Sequence, residues 1–265
     1  MNQEILDEYF PGLVVPKSQE DDFERKLRLK GLIRYSNLYR AVKEHTKDQI
    51  TYQSLSEYYR YDIKLRRALH KIIAFTEVAM RATVNNLYPN APLTFSKWKT
   101  EISGLFGKEY KPGKIIIGKI NCFFDQGKKE ESTLFDLLEN SDLQVLNSMF
   151  LLLDSNQQSS LFKSDFDYLK ENLDALRELR NCVEHHQLLI IKDLKEVWFS
   201  GKKKTGLKAN IENAINLSPE LAKEKLKATI NDCLIINESE ERSEQNTYHL
   251  LPEFKVYFDD IAEHE

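Results

Sequence analysis

The sequence predicts an all-α fold. Hydrophobic residues recur at three- and four-residue intervals through the longest segments. Glycine and proline are scarce, at 9 and 7 of 265 residues, and charged residues make up 30% against 41% hydrophobic. That balance favours long amphipathic helices over a turn-rich β architecture.

Taken in order, residues 21–45 read as two short helices broken near Gly31 and rich in Leu, Arg and Tyr. The longest periodic segment, 54–88, sets Leu65, Leu69, Ile72, Ile73, Thr76, Met80, Val84 and Leu87 at helical spacing, and Pro89 closes it. Residues 92–113, with Gly104 and Gly107, read as loop with short helices and suggest an insertion near 90–130. The β-branched run at 114–120 fits either a buried strand or a helix, with helix preferred. Two apolar helices are expected over 134–153 and another over 165–185. The 54–88 and 165–185 helices carry the longest apolar stripes, so they are expected to pack together. Beyond, an extension over 190–265 should hold an exposed basic loop at 201–206 and a helix over 219–233 capped by Ser218. An acidic loop at 238–244 and a hairpin or packed arm at 247–258 follow. The whole chain, 1–265, is read as one domain.

Formal net charge is −4, which argues against a protein that coats nucleic acid over its whole surface. The charge is segregated, however: 13 Lys/Arg face 7 Asp/Glu between residues 21 and 71, whereas 238–265 holds 9 acidic residues and 2 basic. A local basic surface is compatible with that pattern, as are solvated helix faces that differ by chance. Cys122, Cys182 and Cys233 are odd in number and far apart, so neither a disulfide framework nor a zinc motif is expected. The acidic start lacks the form of a signal peptide and no apolar run reaches the roughly 20 residues of a spanning helix. A cytoplasmic protein without membrane association or cofactor is expected.

On a wheel of about 100° per residue, Phe166, Leu169, Leu173, Leu176 and Val183 form one stripe. Arg180 falls inside it, and Glu184 at its edge. A guanidinium on such a face is costly unless paired or working. Pairing with Glu184 one turn on is the plain structural explanation, as it is for Glu77 and Arg81 on the earlier helix. Asn181 and His185, also four apart, lie beside the stripe, while Arg180 and His185 diverge by about 140°. One straight helix therefore does not let both grip one phosphate, and a second protomer across a two-fold axis is expected to complete the site.

Two stretches carry a family resemblance. Tyr58-Tyr59-Arg60-Tyr61-Asp62-Ile63-Lys64-Leu65-Arg66, continuing to Glu77 and Arg81, is similar to an aromatic-Asp-x-x-Leu-Arg helix. Leu176-Arg177-Glu178-Leu179-Arg180-Asn181-Cys182-Val183-Glu184-His185-His186 matches a Leu-Arg-Asn…His-His signature. Together they resemble the HEPN-domain ribonucleases, in particular the Abi-like (AbiD/AbiF) abortive-infection proteins, over about residues 31–186. The sequence departs at Gln187-Leu188-Leu189-Ile190, where the family usually has Asn-Arg, which bears on substrate preference.

The resemblance implies a HEPN-like helical bundle with helical insertions and an extended C-terminal region. It implies a metal-independent endoribonuclease, toxin-like, used in antiviral defence and leaving 2′,3′-cyclic phosphate and 5′-hydroxyl ends. Arg180 and His185 would be the catalytic pair, with Asn181 beside them. A histidine, whose free imidazole titrates near about 6.5, suits the proton transfers, and the arginine suits the charge on the phosphorane. The other function class is a non-catalytic protein that holds a structured non-coding RNA. For either, Arg34, Arg60, Lys64, Arg66, Arg67, His186, Lys202, Lys203 and Lys204 are the expected RNA contacts, with the tyrosines among 34–67 offering stacking faces or simply packing. RNA and a second copy of the chain are the expected partners, and the resemblance leaves room for a neutralising antitoxin.

Overall fold

A computed structural model of the chain describes residues 3–47, 49–86, 118–120, 122, 134–151, 153, 155–162 and 166–219. The described elements are α1 (Gln3–Tyr9), α2 (Glu20–Lys30), α3 (Leu32–His45), α4 (Tyr52–Asn86), α5 (Leu134–Glu139), α6 (Leu143–Phe150), α7 (Ser155–Leu161), α8 (Leu169–Glu184), β1 (Val197–Phe199), β2 (Lys202–Lys204) and α9 (Gly206–Asn216). The fold is all-α with one short hairpin. Of the expected insertion near 90–130 only 118–120 and Cys122 are described, and they are helical. The expected 219–233 helix, the acidic loop at 238–244 and the arm at 247–258 lie outside the described residues, Pro219 apart. No described helix is long and apolar enough to cross a membrane.

The chain divides into two compact units, one of residues 1–68, 182–193 and 227–265, the other of 69–181 and 194–226. The boundaries fall inside α4, after Ala68, and inside α8, after Asn181.

In the first unit, α2 and α3 are separated where the sequence places Gly31. Its φ of 90° is a conformation that side chains disfavour, and its N–H closes α2 on the Leu27 carbonyl at 2.9 Å. The core that these helices build with α1 and α4 is aromatic. Phe10 meets Phe23 edge-on at 5.3 Å, and Tyr35 stacks on Tyr59 at 5.0 Å. Val14 and Thr51 form a short parallel bridge, the Val14 N–H donating to the Ile50 carbonyl at 3.0 Å and the Val14 carbonyl accepting from the Tyr52 N–H at 2.8 Å, which ties the α1–α2 link to the start of α4.

In the second unit, Leu69, Ile72, Ile73, Met80 and Val84 of α4 are buried, as are Leu169, Leu173, Leu176 and Leu179 of α8. An ion pair between Glu77 and Arg180 links the two helices within this unit. Asp142 caps α6 by accepting from the Val145 N–H at 2.9 Å. The 201–206 segment is a correction to the sequence reading. Rather than a loop, Lys202–Lys204 pairs antiparallel with Val197–Phe199. Ser200 and Gly201 between them have φ of 48° and 74°, the positive values that a two-residue hairpin turn demands. Helix α9, absent from the sequence reading, follows and packs Ala209 with Val197 and Ala175. Ser218 donates to the Ala214 carbonyl at 2.5 Å and meets the Thr76 hydroxyl at 3.2 Å, so it closes α9.

Candidate functional site

Arg180 sits near the end of α8 with about a third of its side chain exposed, and its Nε donates to Glu77 Oε1 at 3.2 Å. The other Glu77 oxygen faces Arg81 Nη2 at 3.8 Å, and the same Arg81 nitrogen donates to the Ser141 carbonyl at 3.1 Å. Two guanidinium groups therefore share one carboxylate in a partly desolvated setting. The expected Glu77–Arg81 pair is present, but its carboxylate also serves Arg180. Only Nε of Arg180 is used, so among the described residues its two terminal nitrogens meet no protein acceptor. A phosphate oxygen pair matches that geometry.

Asn181, next on α8, is exposed. The helix ends three residues later, and the wheel used for residue 185 does not hold there. Glu184 is the last helical residue, and His186 turns left-handed at φ 53°. The Gln187 N–H reaches back to the Cys182 carbonyl at 2.9 Å, and the His186 N–H to Val183 at 3.1 Å. This double closure is the Schellman motif, whose left-handed position normally falls to glycine. Here it is a histidine, exposed like His185 beside it.

The turn after the histidines is anchored within the first unit by Asp62. This carboxylate is fully buried. Oδ1 accepts from the Leu189 N–H at 2.6 Å and the Ile190 N–H at 3.3 Å, while Oδ2 accepts from Arg66 Nε at 2.7 Å. Burial raises the Asp62 carboxyl above the usual carboxylate range, although Arg66 and the two N–H groups pull the other way. Leu188 and Leu189 are buried beyond it. The aromatic-Asp-x-x-Leu-Arg stretch of α4 is thereby in physical contact with the segment that follows His-His. Sequence reading missed Asp62 as a positioning residue; the signal was its four-residue spacing to Arg66 on an otherwise apolar face.

The expected RNA contacts divide. Arg60, Arg67, His186, Lys202, Lys203 and Lys204 are exposed, and Arg34 and Lys64 half-buried. Arg66 differs: it is 8% exposed and committed to Asp62, so its side chain is not offered to a ligand. The stacking faces expected from the tyrosines are not offered by Tyr35, Tyr39, Tyr52 and Tyr59, which are buried in the aromatic core. Lysines lie over the outer parts of several rings instead, Lys30 Nζ at 4.2 Å from Tyr59 and Lys26 Nζ at 4.9 Å from Tyr52. Burial, then repulsion from Lys26, lowers the Lys30 ammonium from its ordinary value, and Arg60 and Arg66 add to the effect. Tyr58 and Tyr61 are half-buried, and Lys64 Nζ stands 5.8 Å from the Tyr61 ring centre.

No curated protein and no solved structure matches the chain. The family model of Abi-like proteins matches residues 27–190, a span that takes in both the Asp62–Arg66 clamp and the Arg180–His186 segment. The chain belongs to the Abi-like protein family.

Proposed function

We propose that this Abi-like protein is a metal-independent endoribonuclease of HEPN type, acting as a toxin in abortive infection against phage. The observation that carries the reading is Arg180, held by one nitrogen on Glu77 with its terminal nitrogens left over, one residue before the exposed Asn181. Exposed imidazoles follow directly at His185 and His186.

In the proposed reaction the 2′-oxygen of a ribose attacks the adjacent phosphorus, and the bond to the 5′-oxygen breaks. One imidazole takes the 2′-hydroxyl proton as the new P–O bond forms, and another delivers a proton to the departing 5′-oxygen. The products are a 2′,3′-cyclic phosphate and a 5′-hydroxyl. Arg180 stabilises the extra charge on the phosphorane, and Asn181 orients the phosphate or the imidazole. The step needs only proton transfer and charge stabilisation, both within reach of these side-chain types.

Two histidine roles are most simply met by two copies of the chain. In a two-fold dimer, one protomer's Arg180 would act with the partner's His185. The test is cleavage of total RNA with chelator present, by wild type, Arg180→Ala and His185→Ala, with end-group analysis. Cyclic phosphate ends from wild type and none from either variant are expected, as is partial recovery when the two variants are mixed. Cleavage that survives loss of both residues would refute the proposed chemistry. Tight RNA binding with no turnover would favour the role of holding a structured non-coding RNA.

A further inference from the structure

The hairpin and α9 lie beyond the family-matched residues, and they contain a second feature suited to RNA. We propose that Trp198, stacked on Tyr168, is a platform for an unpaired nucleobase, with Lys203 beside it for a flanking phosphate. The proposal rests on the RNA reading above and adds to it a site away from Arg180 in sequence and chemistry.

Trp198 is only half-buried, yet its position is firmly set. The buried side chain of Asn172 binds both main-chain groups of Trp198: Nδ2 donates to the carbonyl at 2.9 Å, and Oδ1 accepts from the N–H at 2.8 Å. An amide side chain so placed substitutes for a neighbouring strand. Asn213 of α9, also buried, in turn donates to the Asn172 carbonyl at 2.9 Å. The indole is thus held through its backbone and does not depend on full burial of the ring. Tyr168 lies parallel to it, 4.3 Å between ring centres and 2° between planes. A rigid, half-exposed, parallel aromatic pair loses little freedom when a further ring is laid on it.

The charges are placed to match. Lys203 is the direct cross-strand neighbour of Trp198, and its Nζ stands 5.4 Å from the indole centre. Its ion pair with Glu196 at 2.5 Å is between side chains that are each about half exposed, and such surface pairs contribute little. A phosphate can therefore draw the ammonium away from the ring as a base takes its place. Three exposed lysines on β2 also protect the hairpin edge from pairing with other strands. That role explains the lysines; it does not explain a half-exposed indole fixed by a buried asparagine.

The chain has two tryptophans, so Trp98→Phe makes Trp198 the sole indole reporter. Its emission is titrated with a single-stranded 2′-O-methyl oligonucleotide, which cannot be cleaved through a 2′-hydroxyl, and in parallel with inorganic polyphosphate. Saturable quenching by the strand and none by polyphosphate is expected. Trp198→Ala, checked for folding by circular dichroism, should weaken strand binding about tenfold and leave polyphosphate binding unchanged, with Trp198→Phe partly restoring it. Lys203→Ala should weaken both. A strand that binds without quenching, or binds a folded Trp198→Ala protein at full affinity, overturns the platform and leaves the ribonuclease reading intact. If no strand binds at all, the RNA reading and the platform fall together.

Discussion

Replacing His186 by glycine should stabilise the protein, because the Schellman turn puts a histidine where the backbone is left-handed, at φ 53°. That region costs a non-glycine residue about 1–2 kcal/mol. Glycine brings its own penalty of about 0.5–1 kcal/mol through the greater freedom of its unfolded chain. The imidazole is exposed, so its removal forfeits little packing, and a net gain of about 0.5–1 kcal/mol remains. At this chain length that corresponds to a rise of about 1–4 °C in Tm. Urea denaturation of wild type, His186→Gly and His186→Ala separates backbone from side chain, since alanine removes the imidazole and keeps the strain. If His186→Gly is the least stable of the three, the turn is held by the histidine side chain and the reasoning fails. The same proteins test function. If His186 contacts RNA, both variants lose affinity, and the glycine variant trades that loss for stability.

Asp62 provides a prediction with a definite sign. Burial places its folded pKa above the unfolded value of about 3.9. Its stabilising contribution is therefore fully present below that value and is lost as pH rises through the folded pKa. The deficit of Asp62→Asn relative to wild type should accordingly be larger at pH 4 than at pH 7 in urea midpoints, and a deficit that grows with pH would contradict the assignment. For RNA binding, Arg60→Gln with Arg67→Gln should lower the slope of log affinity against log salt by about 0.7 for each phosphate that is no longer neutralised; an unchanged slope would remove this face of α4 from the RNA surface.

Much of the helical order was legible because it follows from spacing. Gly31 divides α2 from α3, and α4 begins within two residues of the predicted start. What spacing does not reveal is which side of a helix its polar residues serve. Arg66 and Arg67 are adjacent in sequence, yet one lies under the surface on Asp62 and the other is exposed. The tyrosines of α3 and α4 were equally ambiguous, since a phenol ring suits a core as well as a stacking surface. Helix α9 escaped notice because its buried face includes Asn210 and Asn213. These residues bind main-chain carbonyls at Lys195 and Asn172, and they interrupt the apolar rhythm. The lysine strand has no inward apolar residue of its own, so alternation could not mark it. The Arg180–His185 segment stood out for the opposite reason: an arginine on an apolar stripe needs a partner, though the partner proved to be on α4.

Asp62 holds Leu189 and Ile190 by their main-chain N–H groups, which every residue except proline presents. The grip is therefore blind to side-chain identity. At the exposed position 187 a side chain can therefore be exchanged without loosening that grip, while the buried Leu188 and Leu189 are held by packing as well. The residues downstream are then free to change the surface shown to a ligand, while the geometry of the histidine turn is inherited from an aspartate more than a hundred positions earlier in the chain.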